Sequence, residues 1–295
     1  MKDVEVTRLA YIPPLAIDRL FGFLATRAVA GFERADGAGY ARSMRTTDGH
    51  PVVVQLETVP DTAAFEMRMT AVGDGAPQRQ HDVVRAVRRM LDLDADPSAI
   101  DGVLMTDPVV RPLVAAAPGT RVPRTTDGFE LAVRGIVGQQ VSVTGARTTL
   151  GSIVDRFGDR IDPPIGGVSH LFPTAEQLAD APPDAFGMPA TRADAIRRLA
   201  GAVATGEIDL SGDAELDATL QALRSIKGIG TWTADYIAMR ALGDGDAFLV
   251  GDLGVRRGFA SLGLPDDARS MLEHAERWRP WRAYAAIHLW RSGPR

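Results

Sequence analysis

The spacing of apolar residues changes once along this chain, near residue 95, and that change limits what it can fold into. In "AAFEMRMTAV", Phe65, Met67 and Met69 alternate with Glu66, Arg68 and Thr70, the period of a strand with one face on a core. "GYARSMRT" and "PVVVQLETV" read as β-like runs, "TTDGHP" and "VPDT" as turns, and "LFGFLATRAVAG" (Leu20 to Gly31) has helical spacing. From about Asp82 onward the strand signal fades. "HDVVRAVRRMLDL", "GFELAVRGIVGQQVSVTGARTTLGSIVDRFG", "ATRADAIRRLAGAVATG", "DARSMLEHAERW" and "PWRAYAAIHLWR" all read as helices, separated by stretches such as "DPPIGGVSHLFPT" and "APPDAFGMPATR". The expected class is α+β: an antiparallel sheet domain with at least one helix over residues 1–95, then a larger all-helical portion. At 295 residues, two domains or three small ones fit the length.

The bulk numbers exclude several function classes. No run of about 18 apolar residues predicts a membrane span. "MKDVEVTRLAYIPPLAIDR" is broken by charge and proline and does not read as a secretory signal, so a cytoplasmic location is expected. The absence of cysteine excludes disulfides, a cysteine nucleophile, an iron–sulfur cluster and a thiolate zinc site. The five histidines are scattered without metal-ligand spacing. Net charge is −5, yet residues 221–295 hold 11 Lys and Arg against 8 Asp and Glu. A polyanion needs a local basic face, not a basic whole, although an excess this small also fits chance variation.

The tightest motif is "RSIKGIGTWTADYIAMR" (Arg224 to Arg240). Leu216, Leu220, Leu223 and Ile226 place a helix before it, and "TWTADYIAMRAL" reads as a helix after it, with Thr231 as N-cap. Gly228 and Gly230 therefore sit in a short hairpin between two helices. A P-loop needs G-x-x-x-x-G-K-[ST], and a dinucleotide fingerprint needs a third glycine and a preceding strand; both fail here. Two readings stay open: a plain helix–helix turn with a C′ glycine, and bare amides laid against one phosphate of a DNA backbone.

Downstream, "GDAFLVGDLGVRRGF" sets Asp252 between Gly251 and Gly254 after an apolar run. Such an aspartate is by default a helix N-cap; at a loop tip near a DNA-anchoring hairpin it can also do chemistry. Trp232 and Tyr236 lie four apart on one helix face, and Trp278, Trp281 and Trp290 follow. These aromatics fit either a core or a slot that stacks a planar base.

At these residues the chain resembles the helix–hairpin–helix DNA glycosylases, more narrowly the bacterial DNA-3-methyladenine glycosylase II (AlkA-type) family. The resemblance covers nearly the whole chain, through "GFLATRAV", "GYARS", "FELAVRGIVGQQVSV", "GMPATRADAIRRLA", "IKGIGTWTADYIAMRA", "FLVGDLGVRRGF" and "ERWRPWRAYAAIHLW" in the family's order. It implies a TATA-binding-protein-like sheet domain followed by an all-α core of two subdomains, one over 128–243 with the hairpin, the other from 96–127 plus 244–295, with the active-site cleft between them. It implies Asp252 as the catalytic aspartate and Phe23, Trp232, Tyr236, Leu253 and Trp290 around the base. DNA contacts would come from the Gln140 wedge and from Lys227, Gly228, Ile229, Gly230 and Thr231. The carbonyls of Arg224, Ile226 and Ile229 would hold a structural Na or K at the hairpin with DNA; no cofactor is required.

Departures from the family pattern are Lys227 where proline is common, Gly251 where an acid often stands, Leu253 in place of an aromatic that would leave the slot wider, and a polar wedge. The nucleophilic lysine of lyase members is replaced by Trp232, and without cysteine no methyl-acceptor activity is expected.

The activity implied is that of a monofunctional, monomeric base excision repair glycosylase. It would flip 3-methyladenine, 3-methylguanine and 7-methylguanine out of double-stranded DNA and hydrolyse the N-glycosidic bond to leave an abasic site. An alkylated purine is a cationic leaving group and needs no general acid, so one carboxylate that stabilises oxocarbenium-like charge and orients water suffices. Aromatic faces would attract the cationic base. A non-catalytic helix–hairpin–helix DNA scaffold is the alternative, disfavoured by Asp252 and the aromatics together. An oxidised-base glycosylase/lyase is disfavoured by Trp232.

Overall fold

In a computed structural model, residues 4–36, 39–73 and 80–292 are described. The chain runs β1 (Val4–Ala10), α1 (Ile17–Arg27), β2 (Glu33–Asp36), β3 (Gly39–Arg45), β4 (Pro51–Thr58), β5 (Ala64–Ala71) and α2 (Gln80–Met90). The five strands form one antiparallel sheet in the order β1-β5-β4-β3-β2. Val52, Val54, Leu56, Phe65, Met67 and Met69 project from it onto Leu20, Phe23 and Leu24 of α1 and Val83, Val87 and Met90 of α2, closing one apolar core. The α+β class is thus present, and the three β-like runs are β3, β4 and β5. β1 and β2 flank them at the sheet edges.

Helices follow: α3 (Pro97–Leu104), α4 (Arg111–Ala115), α5 (Gly128–Val137) and α6 (Val143–Phe157). The expectation of an all-helical portion needs correction, because β6 (Arg160–Ile165) and β7 (Val168–His170) form a hairpin inside the stretch read as a separator. Ile161, Val168 and Leu171 pack on Ala41 and Val53, so it covers part of the sheet's second face. Ser43 Oγ donates to the His170 carbonyl at 2.7 Å. The chain continues through α7 (Ala175–Ala179), α8 (Ala190–Ala204), α9 (Leu216–Ser225), α10 (Thr231–Ile237), α11 (Leu253–Ser261), α12 (Ala268–Ala275) and α13 (Arg282–Leu289).

The helices enclose two further cores. One gathers α5, α6, α8 and α10 around residues such as Phe129, Ile136, Ile196 and Ile237. The other gathers Ile100, Leu249, Phe259, Met271, Trp278 and Tyr284. Trp278 is fully buried there and donates Nε1–H to Asp107 at 2.8 Å, so it is a core tryptophan. Tyr236 borders both helical cores, and Trp290 borders the second core and the sheet core. The three cores meet at these two aromatic residues.

Candidate active site

The hairpin is built by α9 ending in an extended Ile226, followed by Gly228 at φ +103°. Only glycine adopts that conformation freely, and a Cβ there would lie 2.7 Å from the Ala195 Cβ. Ile229 is buried in the first helical core and donates N–H to the Ile226 carbonyl at 3.0 Å. That bond closes the turn, so the Ile229 amide faces inward rather than outward as expected for a phosphate contact. No backbone acceptor takes the N–H of Gly228 or Gly230 among the described residues. The N-cap expectation also needs correction: Gly230 is the N-cap, Thr231 is the first helical residue, and no side chain caps this end. Thr231 already has helical backbone, so its hydroxyl is not the cap acceptor. The first N–H groups of α10 are thus left for an external anion. Arg224 reaches across the turn to Asp235 at 2.9 Å and clamps α9 to α10. Lys227 is exposed at the tip.

Gln140 stands at φ +57° in the loop between α5 and α6, with its side chain exposed and exposed Val141 beside it. A non-glycine residue in the left-handed region is uncommon and marks a position held by its surroundings. What holds it is next door. Gln139 Nε2 donates to the Gly228 carbonyl (3.0 Å) and the Thr233 hydroxyl (2.8 Å), while Arg192 donates to the Gln139 carbonyl (3.0 Å). The Gln140 loop and the hairpin are therefore one mechanical unit.

Between these elements and the sheet lies a cavity of about 330 Å³, walled by Phe23, Trp232, Tyr236, Asp252 and Trp290 among others. Asp252 is the N-cap of α11, its Oδ1 accepting from the Val255 amide at 2.9 Å. The same Oδ1 accepts from Trp290 Nε1 at 2.8 Å, and Oδ2 accepts from Trp232 Nε1 at 3.0 Å. The N-cap and chemical readings of Asp252 are thus compatible: the cap fixes the backbone, and two indoles fix the plane of the carboxylate. Trp232 stacks on Tyr236 (centroids 5.5 Å, 18° between planes), and Phe23 stacks on Trp290 (6.2 Å, 12°). Leu253 is not part of this lining. As the residue after the cap it points outward and is 58% exposed, so it neither widens nor narrows the slot.

The cavity also holds residues that sequence reasoning missed. Arg27 lies over the Phe23 ring at 3.8 Å, and Arg240 over Phe23 at 4.8 Å and Tyr236 at 5.3 Å. Each follows its aromatic partner by four residues, and that spacing was the available signal. Arg240 is set by a π-helical turn, Ala238–Leu242, and donates to the Pro123 carbonyl at 2.6 Å. Burial, opposed by Tyr236 and reinforced by Arg240, lowers the Arg27 pKa to about 10. Deeper still, Arg134 bridges Glu33 (2.6 Å) and Glu130 (2.7 Å), Arg42 pairs with Glu130 (2.5 Å), and the Tyr40 hydroxyl donates to Glu33. Burial alone would push the Glu33 carboxyl up, but Arg134 and Arg42 hold it below its usual range. The network joins the sheet domain to α5 beneath the cavity.

A sheet domain, a largely helical core with a glycine hairpin, and an aspartate among aromatics beside it define the class of the helix–hairpin–helix DNA glycosylases. Residues 6–127 match the family model of the AlkA N-terminal domain, and residues 133–283 match that of the HhH-GPD superfamily base excision DNA repair proteins. The chain belongs to the HhH-GPD superfamily, in its AlkA-type branch. It is 40% identical over 96% of its length to a Mycobacterium tuberculosis protein named "Probable bifunctional transcriptional activator/DNA repair enzyme AlkA", of which it spans 56%. It is 33% identical to the Escherichia coli "DNA-3-methyladenine glycosylase 2", with 96% of this chain and 95% of that protein aligned. The solved "3-methyladenine DNA-glycosylase from Archaeoglobus fulgidus" superposes with a TM-score of 0.82 at 23% identity, covering 96% of this chain and 97% of that one, which supports the fold.

Proposed function

We propose that the protein is a monofunctional DNA glycosylase of base excision repair, acting as a monomer on double-stranded DNA to release alkylated purines and leave an abasic site. The observation that carries this reading is Asp252, a carboxylate fixed by three N–H donors on the wall of an aromatic cavity. A base extruded from the duplex would enter that cavity, with Gln140 filling the gap it leaves. The deoxyribose would then face Asp252, whose charge stabilises the oxocarbenium-like state as the bond to the base breaks and orients the attacking water. The faces of Trp232, Tyr236 and Trp290 would stack the base. The arginines over Phe23 offset much of the attraction for a cationic base, so recognition would rest on stacking and on the weakness of the glycosidic bond.

A lyase step needs an amine that forms an imine with the sugar. The chain has two lysines: Lys2 lies outside the described residues, and Lys227 is exposed on the hairpin. Trp232 supplies an indole where an amine would be needed. The hairpin would hold one phosphate on the N–H groups of Gly228 and Gly230, with Lys227 and Thr231 beside it. Neutral carbonyl oxygens of Arg224, Ile226 and Ile229 are a donor set suited to a monovalent cation, and Ile226 O can spare a lone pair beyond the one taken by Ile229. The helical unit over 128–243 and the one from 96–127 plus 244–295 would form the two sides of the cleft.

The deciding experiment is base release from methylated duplex DNA by wild type and Asp252→Asn, reading free base and strand nicking together. Release without nicking, reduced by roughly 10²-fold or more in the variant, is expected. Duplex binding without release from any alkylated substrate would leave the non-catalytic DNA scaffold instead.

A further inference from the structure

A second depression, of about 730 Å³, adjoins the base cavity and shares Phe23, Arg27, Arg147 and Trp290 with it. Arg19 on α1, Arg147 on α6 and Arg291 just after α13 line it with Arg27; a fifth arginine, Arg121, is tied down by the Asp92, Gly119 and Ile12 carbonyls, and no carboxylate lines it among the described residues. None of Arg19, Arg27, Arg147 and Arg291 has an ion-pair partner among the described residues. Arg147 donates to the Ala28 carbonyl, Arg27 to the Thr26 hydroxyl and Arg291 weakly to the Arg19 carbonyl, all neutral acceptors. Elsewhere in this acidic chain arginines pair readily, as Arg45 does with Asp159, Arg256 with Asp266 and Arg282 with Asp246. The groove is therefore a concentrated positive charge that the fold leaves uncompensated. Burial first, and then the nearby Arg291, lower the Arg19 pKa.

We propose that this arginine groove takes up backbone phosphates of the DNA strand running past the flipped nucleotide, as a second anchor independent of the hairpin. The proposal rests on the glycosylase reading, since a base in the adjoining cavity fixes where the strand emerges. A strand of backbone phosphates supplies several negative charges in a row to guanidiniums gathered from α1, α6 and the residues just after α13. Arg147 lies one turn beyond Val143 on the helix that follows the Gln140 loop, so the groove begins close to the expected gap in the duplex. Arg27 and Arg147 also line the base cavity, so the test uses Arg19 and Arg291, which do not.

The experiment measures affinity for a lesion-containing duplex over a range of salt concentrations, for wild type and Arg19→Ala/Arg291→Ala. Each lost phosphate contact lowers the slope of log affinity against log salt by about one. The double variant should lose about two from the slope, keep its melting temperature, and release base at the wild-type single-turnover rate once DNA is saturating. Replacing phosphates beside the lesion one at a time with neutral methylphosphonates should reproduce the loss in wild type and add nothing in the variant. An unchanged slope overturns the proposal, as does a variant that loses only its thermal shift with inorganic tripolyphosphate, which would make the groove a small-anion site. If wild type binds duplex but releases no base, the glycosylase reading fails; if it releases base and the slope stays unchanged, only the groove fails.

Discussion

Trp290 donates its indole N–H to Asp252 across 2.8 Å while the same ring lies nearly parallel to Phe23. One side chain thus orients the carboxylate and walls the cavity, and the two roles can be separated. Trp290→Phe keeps an aromatic face and removes the donor. A hydrogen bond to a charged group contributes roughly 1.5–3 kcal/mol, so single-turnover base release should fall by about ten- to a hundredfold. Affinity for duplex DNA should stay near wild type. A fall in melting temperature that accounts for the lost rate would assign Trp290 to packing instead.

Gln139 offers a test of how the wedge loop is held. Its amide links that loop to the Gly228 carbonyl, and Gln139→Ala removes both bonds without touching a proposed phosphate contact. At about 1 kcal/mol for each net hydrogen bond, duplex affinity should drop by roughly five- to thirtyfold. The salt dependence of binding should keep its wild-type slope, because no cation is lost. A changed slope would show that Gln139 meets DNA directly.

The fold was legible where the period was clean. β5 alternates, β3 and β4 carry β-forming runs, and helices such as α2 and α8 carry regular apolar stripes. β1 was hidden because it is an edge strand whose outward residues include Val4 and Val6, each more than half exposed, while Glu5 and Thr7 turn inward. β2 has only four residues, three of them charged, and the charge of its buried Glu33 is met by Arg134, about a hundred residues away. β6 contains Pro163 and Pro164, which read as a breaker. In the site, Phe23, Trp232, Tyr236 and Trp290 were expected through the resemblance, and they do share one cavity with Asp252. Leu253 was misplaced because chain adjacency to Asp252 does not tell which way a side chain leaves the first turn of a helix. In the ion network under the cavity only Glu130 and Arg134, four apart on α5, follow a local spacing; their links to Arg42 and Glu33 are tertiary products of sheet and helix.

Gly228→Ala tests the turn itself. The substitution forces an L side chain into φ +103° and sets its Cβ against Ala195. Backbone strain of this kind costs roughly 1–3 kcal/mol, and any relief of the contact with Ala195 must move the turn away from α8. Melting temperature should fall, and duplex affinity should fall further than stability alone explains, since the Gly228 and Gly230 amides would shift together. Binding that stays at the wild-type level in a folded Gly228→Ala protein would reduce the hairpin to a plain helix–helix turn.

His288 on α13 sets an acid limit on the fold. Its ring is 1% exposed, and burial, with the nearby Arg19 charge, lowers its pKa to about 4. An unfolded histidine titrates near 6.5. Above that value both states are neutral and the fold has its full stability. As pH falls from about 6.5 toward 4 the unfolded chain takes a proton that the folded chain refuses, so stability declines with falling pH and levels off below the folded value. Between pH 7 and 5 the loss should be roughly 2 kcal/mol from this group, seen as a lower melting temperature. Replacing it with an apolar residue of similar volume, His288→Leu, should flatten the melting profile across that window. A variant that keeps the full wild-type decline between pH 7 and 5 would place the acid sensitivity on other groups.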